Sequence, residues 1–180
     1  GLAGGFGGRN GDALARIKGD IGLRLPLFSN FDCDVQVHRG DAREIAGRVD
    51  EVDVAYLDPP YNQHPYGSNY FMLNLLADYK RPKDISRVSG IPRDWQRSDF
   101  NGSRKARKAL LELLGAIKAK FLLISFNSEG YIPPEEMKRT LAGLGRLETL
   151  ETRYNTFKGS RNLSARQIHV REYLYLVEKG

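Results

Sequence analysis

The run Phe121-Leu-Leu-Ile-Ser-Phe126 is apolar at every position but one. It follows a segment, 103–120, in which Ala106, Ala109, Leu110, Leu113, Leu114 and Ile117 fall on one helical stripe. A helix that leads into a continuous apolar run predicts a strand covered on both faces. The same alternation recurs along the chain. Residues 35–38 are expected to be a short strand, 41–49 a short helix, 52–57 a strand, and 69–79 a helix. Pro133-Pro134 are expected to open a helix to about Leu144, with further strands at 147–153 and 170–177. Such alternation implies an α/β fold whose sheet is mostly parallel, with an antiparallel C-terminal strand.

Composition sets the remaining bounds. A length of 180 residues, with 41% hydrophobic and 28% charged, fits a single globular domain. No apolar run approaches the roughly 20 residues of a membrane span, and the start has no signal-peptide pattern. The single cysteine, Cys33, cannot form an internal disulfide, so a reducing cytoplasm is the expected setting. His38, His64 and His169 lack ligand spacing, and no metal is assigned.

Net charge is +6, and its placement is uneven. Residues 80–108 hold ten Lys/Arg against three acids, a larger surplus than that of the whole chain. Residues 153–171 hold five Lys/Arg and no acid. Two concentrated basic zones read as a phosphate-facing surface. The start is glycine-rich, but Gly5-Phe-Gly7-Gly8-Arg-Asn10 misses the last glycine of a dinucleotide loop and follows no apolar strand. It reads as an extended loop, followed by a helical pattern over 12–18.

The strand at 52–57 stops on Asp58-Pro59-Pro60-Tyr61. Asp-Pro-Pro alone can be a simple stop signal, because proline has no N–H for a sheet ladder. Ligands of open parallel sheets, however, gather at the carboxyl ends of strands, where this tetrapeptide falls. VAYLDPPY resembles the catalytic motif of amino-methylating, S-adenosylmethionine-dependent methyltransferases. DPPYNQHPYGSNYFMLNLLADY and the ending RYNTFKGSRNLSARQIHVREYLYL resemble bacterial N6-adenine DNA methyltransferases of the D12, restriction-modification type.

That resemblance implies a Rossmann-like methyltransferase sheet, S-adenosylmethionine as methyl donor, and double-stranded DNA as partner. Asp58, Pro59, Pro60 and Tyr61 become the catalytic candidates. An exocyclic amino nitrogen is a poor nucleophile because its lone pair is delocalised into the ring. Acceptance of one N6–H each by Asp58 and the Pro59 carbonyl favours a pyramidal nitrogen, and rigid prolines preorganise those acceptors. Tyr61 would stack on a flipped-out base. Asp41 and Ala42, with Asp58, are the cofactor candidates, although Asp41 before Ala-Arg-Glu44 equally fits a helix cap.

Asn69, Tyr70, Phe126, Asn127, Tyr154 and Phe157 are the substrate-pocket candidates. Lys158 and Arg161, with Arg104, Lys105, Arg107 and Lys108, are the candidates for DNA phosphates. The latter four would fill the first turns of a helix, where cations are disfavoured by about 0.3–1 kcal/mol each. An uncompensated cluster there suggests phosphate; a solvated helix end near Asp99 is the alternative. The family's phenylalanine-glycine cofactor turn and the strand after it are not among these residues. The sheet is therefore expected to be incomplete at its N-terminal half, with 1–34 as the end of a recognition region or linker and 35–180 as the catalytic half. A separate or preceding N-terminal segment would complete it. Methylation of cytosine N4, of RNA or of a protein amide is an alternative, as is a catalytically silent DNA-binding fragment. The protein-amide case usually shows Asn in place of Asp58.

Overall fold

The computed structural model describes residues 25–63, 65–86, 91–155 and 169–180. The glycine-rich start, the pattern at 12–18, His64, Phe157, Lys158 and Arg161 lie outside the described residues. The chain divides into two compact units, one of residues 1–38 and 66–96, the other of 39–65 and 97–180.

The larger unit is built on a four-stranded sheet. Its strands are β1 (Val52–Leu57), β2 (Ala119–Asn127), β3 (Gly145–Asn155) and β4 (His169–Lys179), in the order β1-β2-β4-β3. β1 and β2 are parallel, with Val52 opposite Ala119 and Leu57 opposite Ile124. β4 runs antiparallel to both β2 and β3. The α/β character and the antiparallel final strand match the sequence expectation, and the described part of the sheet holds one parallel pair. The helices are α1 (Ala42–Arg48), α4 (Ala106–Ala116) and α5 (Pro134–Ala142), with a 3-10 turn at Asp99–Asn101.

These helices cover one face of the sheet. The register sets Ala55, Leu122, Val177 and Leu57, Ile124, Tyr175 as two rows of that face, where they pack with Leu110, Leu113 and Leu114 of α4 and Met137 and Leu141 of α5. The predicted stripe of α4 is the buried stripe, though the helix itself is shorter than 103–120. It ends at Ala116, where the Ile117 N–H still bonds to the Leu113 carbonyl, and the chain is already in β2 by Ala119. The opposite face is less covered than the apolar run predicted. Leu123 is only half-buried, and Val54, Tyr56 and Leu150 are 55%, 59% and 69% exposed.

The smaller unit contains α2 (Tyr66–Asn69) and α3 (Phe71–Asp78). The single helix expected at 69–79 is thus two, separated at Tyr70, whose ψ of 16° departs from helical geometry. The rings of Tyr66 and Tyr70 meet edge-on at 5.8 Å. Gly67 lies against the Gln96 carbonyl, where a Cβ has no room. α3 ends on Tyr79 in the left-handed region, and Ile85 pairs with Pro92 in an isolated bridge. Residues 35–38 do not form the predicted strand. Val35 and Val37 are exposed, and the segment has no ladder partner among the described residues. Alternation alone does not hold a strand; partner hydrogen bonds do. Among the described residues, no helix is long and apolar enough to cross a membrane.

Candidate active site

Because β1 and β2 are parallel, their carboxyl ends emerge at the same edge of the sheet, and Asp58 to Tyr61 leave β1 beside Phe126 and Asn127 of β2. Asp58 is exposed, Pro59 is buried, and Pro60 and Tyr61 are partly buried. The tetrapeptide is held from two sides. The Tyr131 N–H donates to the Tyr61 carbonyl at 2.8 Å, and Asn101 Nδ2 donates to the Asn62 carbonyl at 2.8 Å. The Tyr61 ring meets the Phe126 ring edge-on, with centroids 6.1 Å apart and planes at 65°. Such an arrangement suits the quadrupoles of both rings.

The turn after β2 is bonded as densely. Asn127 is 3% exposed. Its Nδ2 donates to Glu172 Oε1 at 2.6 Å, and its Oδ1 accepts from the Glu129 N–H at 2.7 Å. The Ser128 N–H donates to the Arg171 carbonyl, and Ser128 Oγ accepts from the Arg171 N–H. Burial pushes the Glu172 carboxyl above the ordinary range, opposed by the Asn127 bond and reinforced by the charges of Asp58 and Glu129. Asp58 and Glu129 are therefore close enough for their charges to act on Glu172.

At the start of α1, Asp41 caps the helix by accepting from the Arg43 N–H at 2.9 Å. Its two carboxylate oxygens also accept from Arg43 Nε and Nη2. The Arg43 bonds hold the Asp41 carboxyl below the usual range, against a smaller opposing effect of burial. Arg43 reaches Glu112 at 2.7 Å and Asp99 at 3.3 Å as well, joining α1, α4 and the 3-10 turn. The capping role read from the sequence is thus realised, and Ala42 beside it is exposed.

The basic cluster is not uncompensated. Lys105 pairs with Asp99 at 3.2 Å, Arg107 with Glu136 at 2.8 Å and Lys108 with Glu112 at 3.6 Å. α4 starts at Ala106, so Arg104 and Lys105 precede it instead of filling its first turn. Arg107 and Lys108 do lie in its first turn, where Glu136 and Glu112 offset their charge. Arg104 is exposed and has no ion-pair partner among the described residues.

Asn69 and Tyr70 lie at the α2–α3 junction of the smaller unit, both exposed. The Tyr154 backbone pairs with Val170 in the β3–β4 ladder. The geometry brings together Asp58, Pro59, Pro60, Tyr61, Phe126 and Asn127, and puts Asn127 behind the surface because its amide is buried and engaged at both ends. Three supporting residues were not singled out by the sequence. Glu172 had a signal, a lone acid inside the apolar closing strand. Asn101 and Tyr131 had none, because their bonds to residues 62 and 61 are long-range.

A family model for D12 class N6 adenine-specific DNA methyltransferases matches residues 22–140. The chain is 33% identical over 138 residues, 76% of its length and 40% of the relative's, to type II methyltransferase M.CviAII of Paramecium bursaria Chlorella virus 1. It is 28% identical over 163 residues, 88% of its length and 47% of the relative's, to type II methyltransferase M.NlaIII of Neisseria lactamica. The third, type II methyltransferase M.FokI of Planomicrobium okeanokoites, is 27% identical over 167 residues, 91% of the chain and 25% of that protein. The chain spans about half or less of the length of these curated relatives. No solved structure matches it. The match over most of its length, taken with the Asp-Pro-Pro-Tyr turn on a parallel strand, establishes that the chain belongs to the D12 class of N6 adenine-specific DNA methyltransferases.

Proposed function

We propose that the chain is the catalytic half of a site-specific DNA methyltransferase of restriction-modification type, which methylates N6 of an adenine flipped out of duplex DNA. The observation that carries this reading is the Asp58-Pro59-Pro60-Tyr61 turn at the carboxyl end of β1, with its ring braced on Phe126. Asp58 and the Pro59 carbonyl accept the two N6–H groups and turn the nitrogen lone pair outward. Tyr61 stacks on the base, and rigid prolines keep both acceptors in place before the base arrives. The positive charge that methylation would build on N6 would be met by Asp58 and the Pro59 carbonyl, and Asp58 would take the surplus proton.

S-adenosylmethionine supplies the methyl group on a cationic sulfur. The carboxylates of Asp58 and Glu129, both near Glu172, would suit that cation. Asp58 would face it, with Asp41 and Ala42 toward its adenine and Asp41 fixed by Arg43. Asn69, Tyr70, Phe126, Tyr154 and Phe157 are assigned to the base pocket. Arg104, Lys105, Arg107, Lys108, Lys158 and Arg161 are assigned to phosphates, by charge and family resemblance. Residues 1–34 are assigned to the end of a recognition region and 35–180 to the catalytic half, acting in the cytoplasm.

An N-terminal half, separate or preceding, completes the site. Supporting this, β1 pairs only with β2 among the described residues, leaving an edge with Val54 and Tyr56 exposed. An open apolar edge of this kind favours a further strand. The same edge, with the partial coverage of the relatives, favours one second reading: a DNA-binding segment without activity of its own.

The test is transfer of label from S-adenosylmethionine to duplex DNA, with and without an N-terminal half supplied from the complete gene product. Transfer that needs the added half and is lost in Asp58→Ala supports the proposal. An Asp58→Ala protein that retained full transfer would remove the catalytic assignment. No transfer in either mixture, with salt-sensitive DNA binding retained, favours the second reading.

A further inference from the structure

We propose that Asn127 and Glu172 are positioning residues, a partly buried amide–carboxyl clamp that fixes where Tyr61 presents its ring to the base. The proposal rests on the base-pocket reading of Tyr61 and extends it to residues that never touch the base. Glu172 Oε1 accepts from Asn127 Nδ2 at 2.6 Å across the β2–β4 ladder, where the two residues are directly opposite. The other end of the same amide accepts from the Glu129 N–H at 2.7 Å, and the Gly130 N–H bonds to the Asn127 carbonyl at 3.0 Å. The turn so fixed delivers the Tyr131 N–H to the Tyr61 carbonyl at 2.8 Å. Phe126, the residue before Asn127, meets the Tyr61 ring edge-on.

Tyr61 is therefore tied by its backbone and its ring to one short turn. That turn is in turn tied to β4 by the clamp and by the two bonds between Ser128 and Arg171. Asn127 is 3% exposed, which removes it from contact with a base while leaving it well placed to hold the turn. Small displacements of a positioned ring cost rate more than affinity, because orientation at the reacting atom is lost while the remaining contacts to DNA persist.

The test uses Asn127→Ala, Glu172→Ala and Glu172→Gln in the complete gene product. Hydrogen exchange is followed by mass spectrometry in a peptide spanning 127–132, with a β2 peptide as internal reference. The Ala variants should speed exchange of the turn about tenfold and leave β2 unchanged. The single-turnover methylation rate should fall on the order of 10- to 100-fold, with the KM for DNA changed less than about twofold. Glu172→Gln keeps an acceptor for Asn127 Nδ2 and should restore both. Unchanged exchange of the turn in Glu172→Ala overturns the clamp, and that variant decides the matter even where Asn127→Ala fails to fold. A Gln variant as slow as the Ala variant also overturns it, assigning the effect to charge near Asp58. Faster exchange in Glu172→Ala but not in Glu172→Gln, when the unaltered protein transfers no methyl, supports the clamp and overturns the base-pocket reading instead.

Discussion

The side-chain amide of Asn101 donates to the backbone carbonyl of Asn62 at 2.8 Å, across 39 residues of sequence. One residue earlier, the Tyr61 carbonyl is held by Tyr131, so the exit of the Asp-Pro-Pro-Tyr turn is gripped from both neighbouring segments. The other end of the Asn101 amide, Oδ1, is buried with no partner among the described residues. Asn101→Ala removes one bond and also one unpartnered acceptor. The expected cost is about 0.5–1.5 kcal/mol, the range of a single net hydrogen bond. Urea unfolding of the variant measures it, and a larger loss would mean that Oδ1 is satisfied in solution.

Gly130 leaves no space for a side chain. A Cβ there would run into the edge of the Phe126 ring and lie 3.1 Å from the Asn127 carbonyl. Gly130→Ala is expected to destabilise by about 1–3 kcal/mol, as overpacking does. The Phe126 ring that must give way is the one braced on Tyr61, so methyl transfer should also fall at temperatures where the variant is fully folded.

Glu172 should leave a signature in the pH dependence of stability. Its folded carboxyl titrates above the ordinary 4.5, mainly through burial, so the folded state holds its proton more tightly than the unfolded chain does. Glu172 thus contributes most below the unfolded value, and stability is lost as pH rises from there through the raised folded value. Glu172→Gln should melt higher than the unaltered protein at pH 7, with the gap closing as pH falls below about 4.5. Thermal melts across pH check the sign, and a gap that widened in acid would contradict it.

Paired and unpaired cations should behave differently toward DNA. Arg104→Ala is expected to weaken duplex binding and reduce the slope of log affinity against log salt by about 1, the effect of one phosphate contact. Arg107 sits 2.8 Å from Glu136, so its removal should change the salt slope less. Titrations at several salt concentrations separate the two, and equal slopes for both variants would remove the distinction.

The open face of the sheet gives a last expectation. Val54 and Tyr56 lie on β1, an edge strand among the described residues, and are more than half exposed. Tyr56→Lys should reduce self-association of the isolated chain measured by light scattering, because charge on an exposed edge opposes strand pairing. It should leave the opposite, helix-covered face intact, since Leu57 and Ala55 alternate with it and carry the packing.

Elements whose pattern is local were legible in the amino-acid order alone. The stripe of Ala106, Ala109, Leu110, Leu113 and Leu114 became the buried side of α4, and Asp58-Pro59-Pro60 ended β1, because helical periodicity and the missing proline donor act within a few residues. The family was legible in the same way, through the motif that the chain spells out in one stretch. Whatever depends on partners far away in sequence emerged only on folding. Residues 35–38 alternate like a strand yet have no ladder partner among the described residues. Lys105, Arg107 and Lys108 look uncompensated until folding brings Asp99, Glu136 and Glu112 beside them. Nothing near Asn127 in sequence announces that Glu172, 45 residues on, takes its amide. Side-chain pairing across a sheet or between helices is set by register and packing, and neither is written in any short window of the chain.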